Sequence, residues 1–113
     1  MIESYSFGNI VIDGRGYNAD CIVTQSYVNG DWWRKNGHKL AVEDIKEAIE
    51  KEKPEVVVIG TGKYGFMKIL KETVDYLNSL GIELHSGNTD GAVKIYNEIS
   101  ANNKVVGFFH LTC

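Results

Sequence analysis

Val56 to Met67 reads VVVIGTGKYGFM, and Gly60-Thr61-Gly62-Lys63-Tyr64-Gly65 within it has the glycine spacing of a dinucleotide-binding turn. That spacing serves phosphate chemistry when the turn joins a strand to a helix, because free amides at the helix start then face the anion. A Walker-type loop also needs lysine and then serine or threonine beside its last glycine, to reach the outer phosphates and hold magnesium. Phe66 and Met67 stand in those places. A dinucleotide site needs an acid at the far end of the next strand to hold the ribose hydroxyls. Glu83 lies at the start of that strand, which closes on Ser86-Gly87-Asn88. The chain left after Gly65 is also too short for a six-stranded doubly wound sheet, so no nicotinamide or flavin cofactor is expected.

Two uses of the turn remain. Gly60 and Gly62 can simply let the backbone turn sharply between a strand and a helix. Alternatively, the amides of Gly62, Lys63 and Tyr64 form a helix N-terminus that takes a phosphate or carboxylate, with Lys63 adding charge. A second strand-to-helix joint, Ser86-Gly87-Asn88-Thr89-Asp90-Gly91, offers Thr89 or Asp90 as N-cap. If the two strands are parallel neighbours, both joints open at the same sheet edge, where open α/β sheets bind ligands. The candidate ligand-binding residues are therefore Gly60, Thr61, Gly62, Lys63, Thr89 and Asn97. Gly62→Asp is expected to abolish binding there and leave the domain folded.

Other reactive residues assemble less well. His110 and Cys113 form H-x-x-C, with His38 and His85 elsewhere. A structural zinc site needs four closed ligands, so no metal is expected. Cys21 and Cys113 are the strong nucleophile candidates, but no base is placed beside either. Catalytic residues are therefore unassigned, and whether the protein is an enzyme stays open. The carboxylates Glu43, Asp44, Glu47 and Glu50 lie on the polar side of the first helix among lysines, which reads as a solvated face. Trp32 and Trp33 point to opposite sides if extended, so at most one enters a given core. The other is covered by a loop or anchors a partner subunit or another protein.

The elements that must position these residues follow from hydrophobic period. Ser6–Ile12 and Ala19–Thr24 read as strands of a hairpin across Asp13-Gly14-Arg15-Gly16. Val42–Glu52 spaces Val42, Ile45, Ala48 and Ile49 as a helix, stopped by Pro54. A buried strand at Glu55–Ile59 then leads through the glycine turn into a helix over about Phe66–Leu80, ended by Gly81. Ile82–Ser86 is a strand, Asp90–Ala101 a helix and Val105–Leu111 a closing strand. Strands alternating with helices predict an α/β sheet covered by helices.

The chain has 113 residues, 43% hydrophobic and 24% charged, which suits one domain spanning 1–113. A formal charge of -3 with mixed signs gives no basic face, so nucleic acid is not an expected partner. No apolar run reaches a membrane span and the N-terminal residues lack a signal-peptide layout. A soluble cytoplasmic protein with free thiols and no membrane partner is expected.

SFGNIVIDGRGY, Trp32-Trp33, EVVVIGTGKYGF, LGIELHSGNTDGAVKIYNEI and VVGFFHLTC together resemble a family of small uncharacterised Mth-type domains. Its eukaryotic relatives include a mitochondrial NADH dehydrogenase (complex I) assembly factor and an adipogenesis-associated protein. The resemblance spans nearly the whole chain and is most specific at Ile59-Gly60-Thr61-Gly62 and at Thr89, Ala92, Tyr96 and Asn97. It implies three layers: an N-terminal β-hairpin layer and a central mixed sheet flanked by helices, with a βαβαβ C-terminal core. It also implies a last strand antiparallel to the others. No catalytic residue comes with it, and Ala41 stands where a capping serine would precede the first helix. The function expected is a non-catalytic binding or adaptor protein, homodimeric or with a protein partner through Trp32 or Trp33. The alternative is a binding protein or enzyme for a small anionic metabolite.

Overall fold

Val56-Val57-Val58-Ile59 and Val105-Val106 are β-branched runs without polar alternation, the pattern of strands covered on both faces. The computed structural model describes residues 1–113. In chain order they form β1 (Ile2–Ser6), β2 (Asn9–Ile12), β3 (Arg15–Tyr17), β4 (Cys21–Val23), β5 (Val28–Asn29) and β6 (Lys39–Leu40). Then come α1 (Val42–Glu52), β7 (Val56–Thr61), β8 (Lys68–Ile69), α2 (Lys71–Ser79), β9 (Glu83–Gly87), α3 (Thr89–Ile99) and β10 (Val105–His110). β7 and β10 are buried along their whole length at the centre of a five-stranded sheet ordered β5-β4-β10-β7-β9.

One face of this sheet packs Val58 and Phe109 against Ala92, Val93 and Tyr96 of α3 and against Ile2, Ile10 and Ile12 of the small β1-β2-β3 sheet. The other packs Val57, Ile59 and Phe108 against Ile45 and Ile49 of α1 and Leu77 of α2. The mixed central sheet between an N-terminal β-layer and flanking helices is the expected α/β fold class. Gly81 adopts φ 71°, the left-handed conformation that suits a glycine just past a helix.

Three local expectations fail. Ala19–Thr24 does not close a hairpin on Ser6–Ile12. β2 instead pairs with β1 and β3, while β4 crosses to the central sheet and runs antiparallel to β10, Ile22 opposite Phe108. Cys21, Ile22 and Val23 are all buried, so this strand belongs where both faces are covered. β10 is parallel to β7, from Val105 opposite Val56 to His110 opposite Thr61. The antiparallel neighbour is β4, and the helical crossover returns β10 in the direction such connections impose. The helix expected from Phe66 begins only at Lys71. Met67 is drawn into the core at 2% exposure, and Lys68–Ile69 pairs with β6. Tertiary burial of Met67 and pairing of Lys68–Ile69 thus delay the helix start.

Candidate functional site

Because β7, β9 and β10 are parallel, their carboxyl ends converge, and the glycine turn meets the start of α3 there. Gly60, Thr61, Gly62 and Thr89 come together. Thr89 Oγ1 accepts the Gly62 amide at 2.9 Å and donates to the His110 carbonyl at 2.6 Å. Thr61 Oγ1 donates to the Gly87 carbonyl at 3.0 Å. A Cβ at Gly60 would lie 2.8 Å from Thr89 Oγ1 and 3.0 Å from the Phe109 ring, so glycine here permits the close approach of α3. Lys63 Nζ reaches Asp90 Oδ2 at 3.0 Å.

Asn97 is not part of this cluster. Farther along α3, it accepts the Ile2 amide at 2.9 Å and donates to the Ile2 carbonyl at 2.8 Å, fastening β1 to the helix. The N-cap of α3 is Asn88, which accepts the Gly91 amide at 2.9 Å, rather than Thr89 or Asp90. The expected helix N-terminus at Gly62–Tyr64 is absent, since α2 starts at Lys71. The Lys63 amide donates to the Thr112 carbonyl at 2.6 Å and the Phe66 amide to Cys113 O at 3.0 Å. Gly62 has φ 105°, and a Cβ there would meet Cys113 O at 2.6 Å and Thr112 O at 2.8 Å. Gly62→Asp therefore strains the backbone and collides with main chain, so it is not the clean binding variant that its sequence position suggests. Phe7, Tyr64 and Phe66 surround the turn as exposed rings, Tyr64 centred 6.4 Å from Phe7 and 6.1 Å from Phe66.

A second cluster was not identified from sequence. Arg34 is 9% exposed and lies with its guanidinium 4.7 Å above the Trp32 ring. Its Nη1 donates to Asp20 Oδ2 at 2.7 Å and its Nη2 to the Gly37 carbonyl at 3.1 Å. His110 Nδ1 lies 2.8 Å from the same Asp20 oxygen, and the Leu111 amide donates to Asp20 Oδ1 at 2.8 Å. Burial alone would raise the Asp20 pKa, but the bonds from His110, the Leu111 amide and Arg34 outweigh it and hold the carboxyl below its ordinary value. An ionised Asp20 only accepts, so it selects the imidazole form in which Nδ1–H donates to it. His110 Nε2 and Arg34 Nε are left buried without partners. An aspartate-oriented imidazole is half of a base-and-nucleophile arrangement, but no hydroxyl or thiol is bonded to Nε2. Burial and then Asp20 push the Cys21 thiol up to about 12, which keeps it neutral. No group of three His, Cys, Asp or Glu is placed to hold a metal ion.

The Trp32-Trp33 pair lies in the irregular segment between β5 and β6 and divides between two environments. Trp32 is 7% exposed, packs at 5.3 Å on Phe108 and donates its indole N–H to the Asp44 carbonyl at 3.0 Å. Trp33 is 79% exposed. It lines a groove of about 450 Å³ that Tyr27 and the α1 residues Glu43 and Glu47 also line.

The fold and these sites define a small three-layer α/β domain with a sealed polar network and an open aromatic groove. Residues 2–110 match the family described as protein of unknown function (DUF498/DUF598), and the chain belongs to that family. Among solved structures, the protein MT938 is 30% identical, with a TM-score of 0.82 over 100% of this chain and 98% of that one. The conserved hypothetical protein PH1505 from Pyrococcus horikoshii OT3 is 25% identical, with a TM-score of 0.86 over 100% and 99%. A protein from Bartonella henselae, described as an outer membrane protein, shares the fold at 23% identity and a TM-score of 0.82 over 99% and 94%. In this chain no helix is long and apolar enough to cross a membrane.

Proposed function

We propose that residues 1–113 form one non-catalytic binding or adaptor domain that engages a protein partner through Trp33. The observation that carries this reading is a tryptophan left 79% exposed on a groove with acidic and aromatic walls. Tryptophan buries large apolar area and keeps a polar handle, which is why it anchors interfaces. Asp20 bonds both Arg34 and His110, no hydroxyl or thiol is bonded to His110 Nε2, and Cys21 is a neutral thiol. The cytoplasmic setting expected from the sequence accords with the two free cysteines.

A peptide array probed with the wild-type chain and with Trp33→Ala tests the reading. Retention of defined peptides by the wild type and its loss in the variant is the expected result. Equal retention by both, or specific turnover by the purified protein, overturns it. Sedimentation velocity on the same two proteins reads the homodimer separately, as self-association that disappears in Trp33→Ala.

The second reading places a small anionic metabolite at Gly60, Thr61, Gly62, Lys63 and Thr89. The convergence of Thr89 on the turn favours it. Such an anion has to displace the Thr112 and Cys113 oxygens from the Lys63 and Phe66 amides. A saturable rise in melting temperature with phosphate or a small carboxylate, absent in Lys63→Ala, would establish it.

A further inference from the structure

Trp32 and Trp33 are adjacent in the chain, and the surroundings of the inner ring show what the outer one lacks. Inside, the Arg34 guanidinium lies 4.7 Å from the Trp32 ring centre and its Nη1 is 2.7 Å from the Asp20 carboxylate. Aromatic face, planar cation and carboxylate form one stack. Outside, Trp33 offers an aromatic face and α1 offers carboxylates on the same groove, with no guanidinium between them.

The charges of the groove are unequal. Glu43, Asp44 and Glu47 line it against Lys51 alone, an excess of two negative groups. Asp44 is occupied, since its oxygens accept the amides of Lys35 at 3.1 Å and Ala41 at 2.8 Å. Glu43 has Lys35 at 3.7 Å with both side chains well exposed, a pair that water screens to little. None of the molecule's ion pairs involves Glu47. The resident Lys51 ammonium lies 4.8 Å from the Tyr27 ring and so covers that face, leaving Trp33 uncovered. Burial and then Glu52 and Glu47 raise the Tyr27 pKa, which reports the same negative field.

We infer that the Trp33 groove binds an arginine-bearing segment of a partner protein, with the guanidinium stacked on Trp33 and bonded to Glu47 and Glu43. The inference rests on the proposed docking role of Trp33 and adds the chemistry of the partner. Arginine suits it better than lysine because a guanidinium is planar, stacks on aromatic faces, sheds water readily and bonds a carboxylate through two parallel N–H groups. Phosphate-rich partners are disfavoured by the carboxylates.

The test is a titration of ¹⁵N-labelled protein with three acetylated peptides, Gly-Ser-Arg-Ser-Gly and its lysine and citrulline counterparts. Citrulline keeps the shape of arginine without the charge. The arginine peptide is expected to shift the Trp33 indole and the amides around Glu43 and Glu47 saturably, with lysine weaker and citrulline silent. Glu47→Gln, at an exposed helical position, is expected to weaken the arginine peptide roughly tenfold, the loss of one charge-assisted bond. Citrulline binding as well as arginine, or an unchanged affinity in Glu47→Gln, overturns the arginine assignment while Trp33-dependent retention on the array still stands. If neither the array nor the arginine peptide responds to Trp33→Ala, the docking reading itself fails. Concentration-dependent broadening of the Trp33 indole without peptide assigns the groove to a second copy and overturns the inference.

Discussion

The inner and outer tryptophan environments differ in what completes them. Around Trp32 every strong partner comes from the chain itself: the Phe108 ring and the Arg34 guanidinium against it, and Asp20 and His110 closing the charge. Around Trp33 the chain supplies a ring and carboxylates and stops. A completed polar stack inside the fold holds loops to the sheet. The uncompleted one at the surface leaves Trp33 79% exposed. The same pairing of residue types is satisfied within the fold in one place and left open to solvent in the other, where we place the proposed recognition.

The strongest way to break this comparison is to truncate the inner ring. Trp32→Ala removes a buried aromatic and uncovers the Arg34 charge, and should cost about 4 kcal/mol in the urea unfolding free energy. A loss below about 1 kcal/mol would mean that the inner stack is not holding the fold.

Asp20→Asn comes next, because it leaves Arg34 buried with a neutral partner. A loss of about 3 kcal/mol at neutral pH is expected by chemical denaturation. The pH dependence sharpens this. Folded Asp20 has its pKa below that of the unfolded chain, which is about 3.9, so between the two values the unfolded state binds more protons. Its contribution is fully present above the unfolded value and is lost as pH falls through the folded one. Acid titration of stability should show that limb in the wild type and a flatter limb in Asp20→Asn. Identical limbs would remove Asp20 from the account.

The smallest effect belongs to the outer ring. Trp33→Ala should change stability by less than about 0.5 kcal/mol, since a well-exposed side chain loses little on truncation. A larger loss would show that Trp33 also supports the fold.

Sequence period identified the elements whose burial is local. The apolar runs of β7 and β10 and the helical spacing in α1 and α3 were legible because each element carries its own face. Partners were less legible. β4 looks like a hairpin strand until β10 is available to pair with it. A helix is expected over about Phe66–Leu80, whereas Met67 is buried in the core and Lys68–Ile69 pairs with distant Lys39–Leu40. Asn97 was grouped with the glycine turn, but it bonds Ile2, 95 positions away, and lines a separate groove with Tyr96 and Ser100. The polar network joins Asp20 to Arg34 and to His110, 14 and 90 positions away, and no local pattern reports such a meeting. One signal was available: Arg34 stands two residues after Trp32, on the same side of an extended chain, where a cation could cover the buried ring.

The exposed ring trio at the glycine turn is the other surface where a partner could settle. Amide-shift mapping of the peptide best retained on the array separates the two surfaces. The account predicts perturbations confined to residues 27–35 and 43–51, with the Trp33 indole among the largest. Perturbations centred on residues 60–66 and 86–91 would contradict it and move recognition to the carboxyl edge of the sheet.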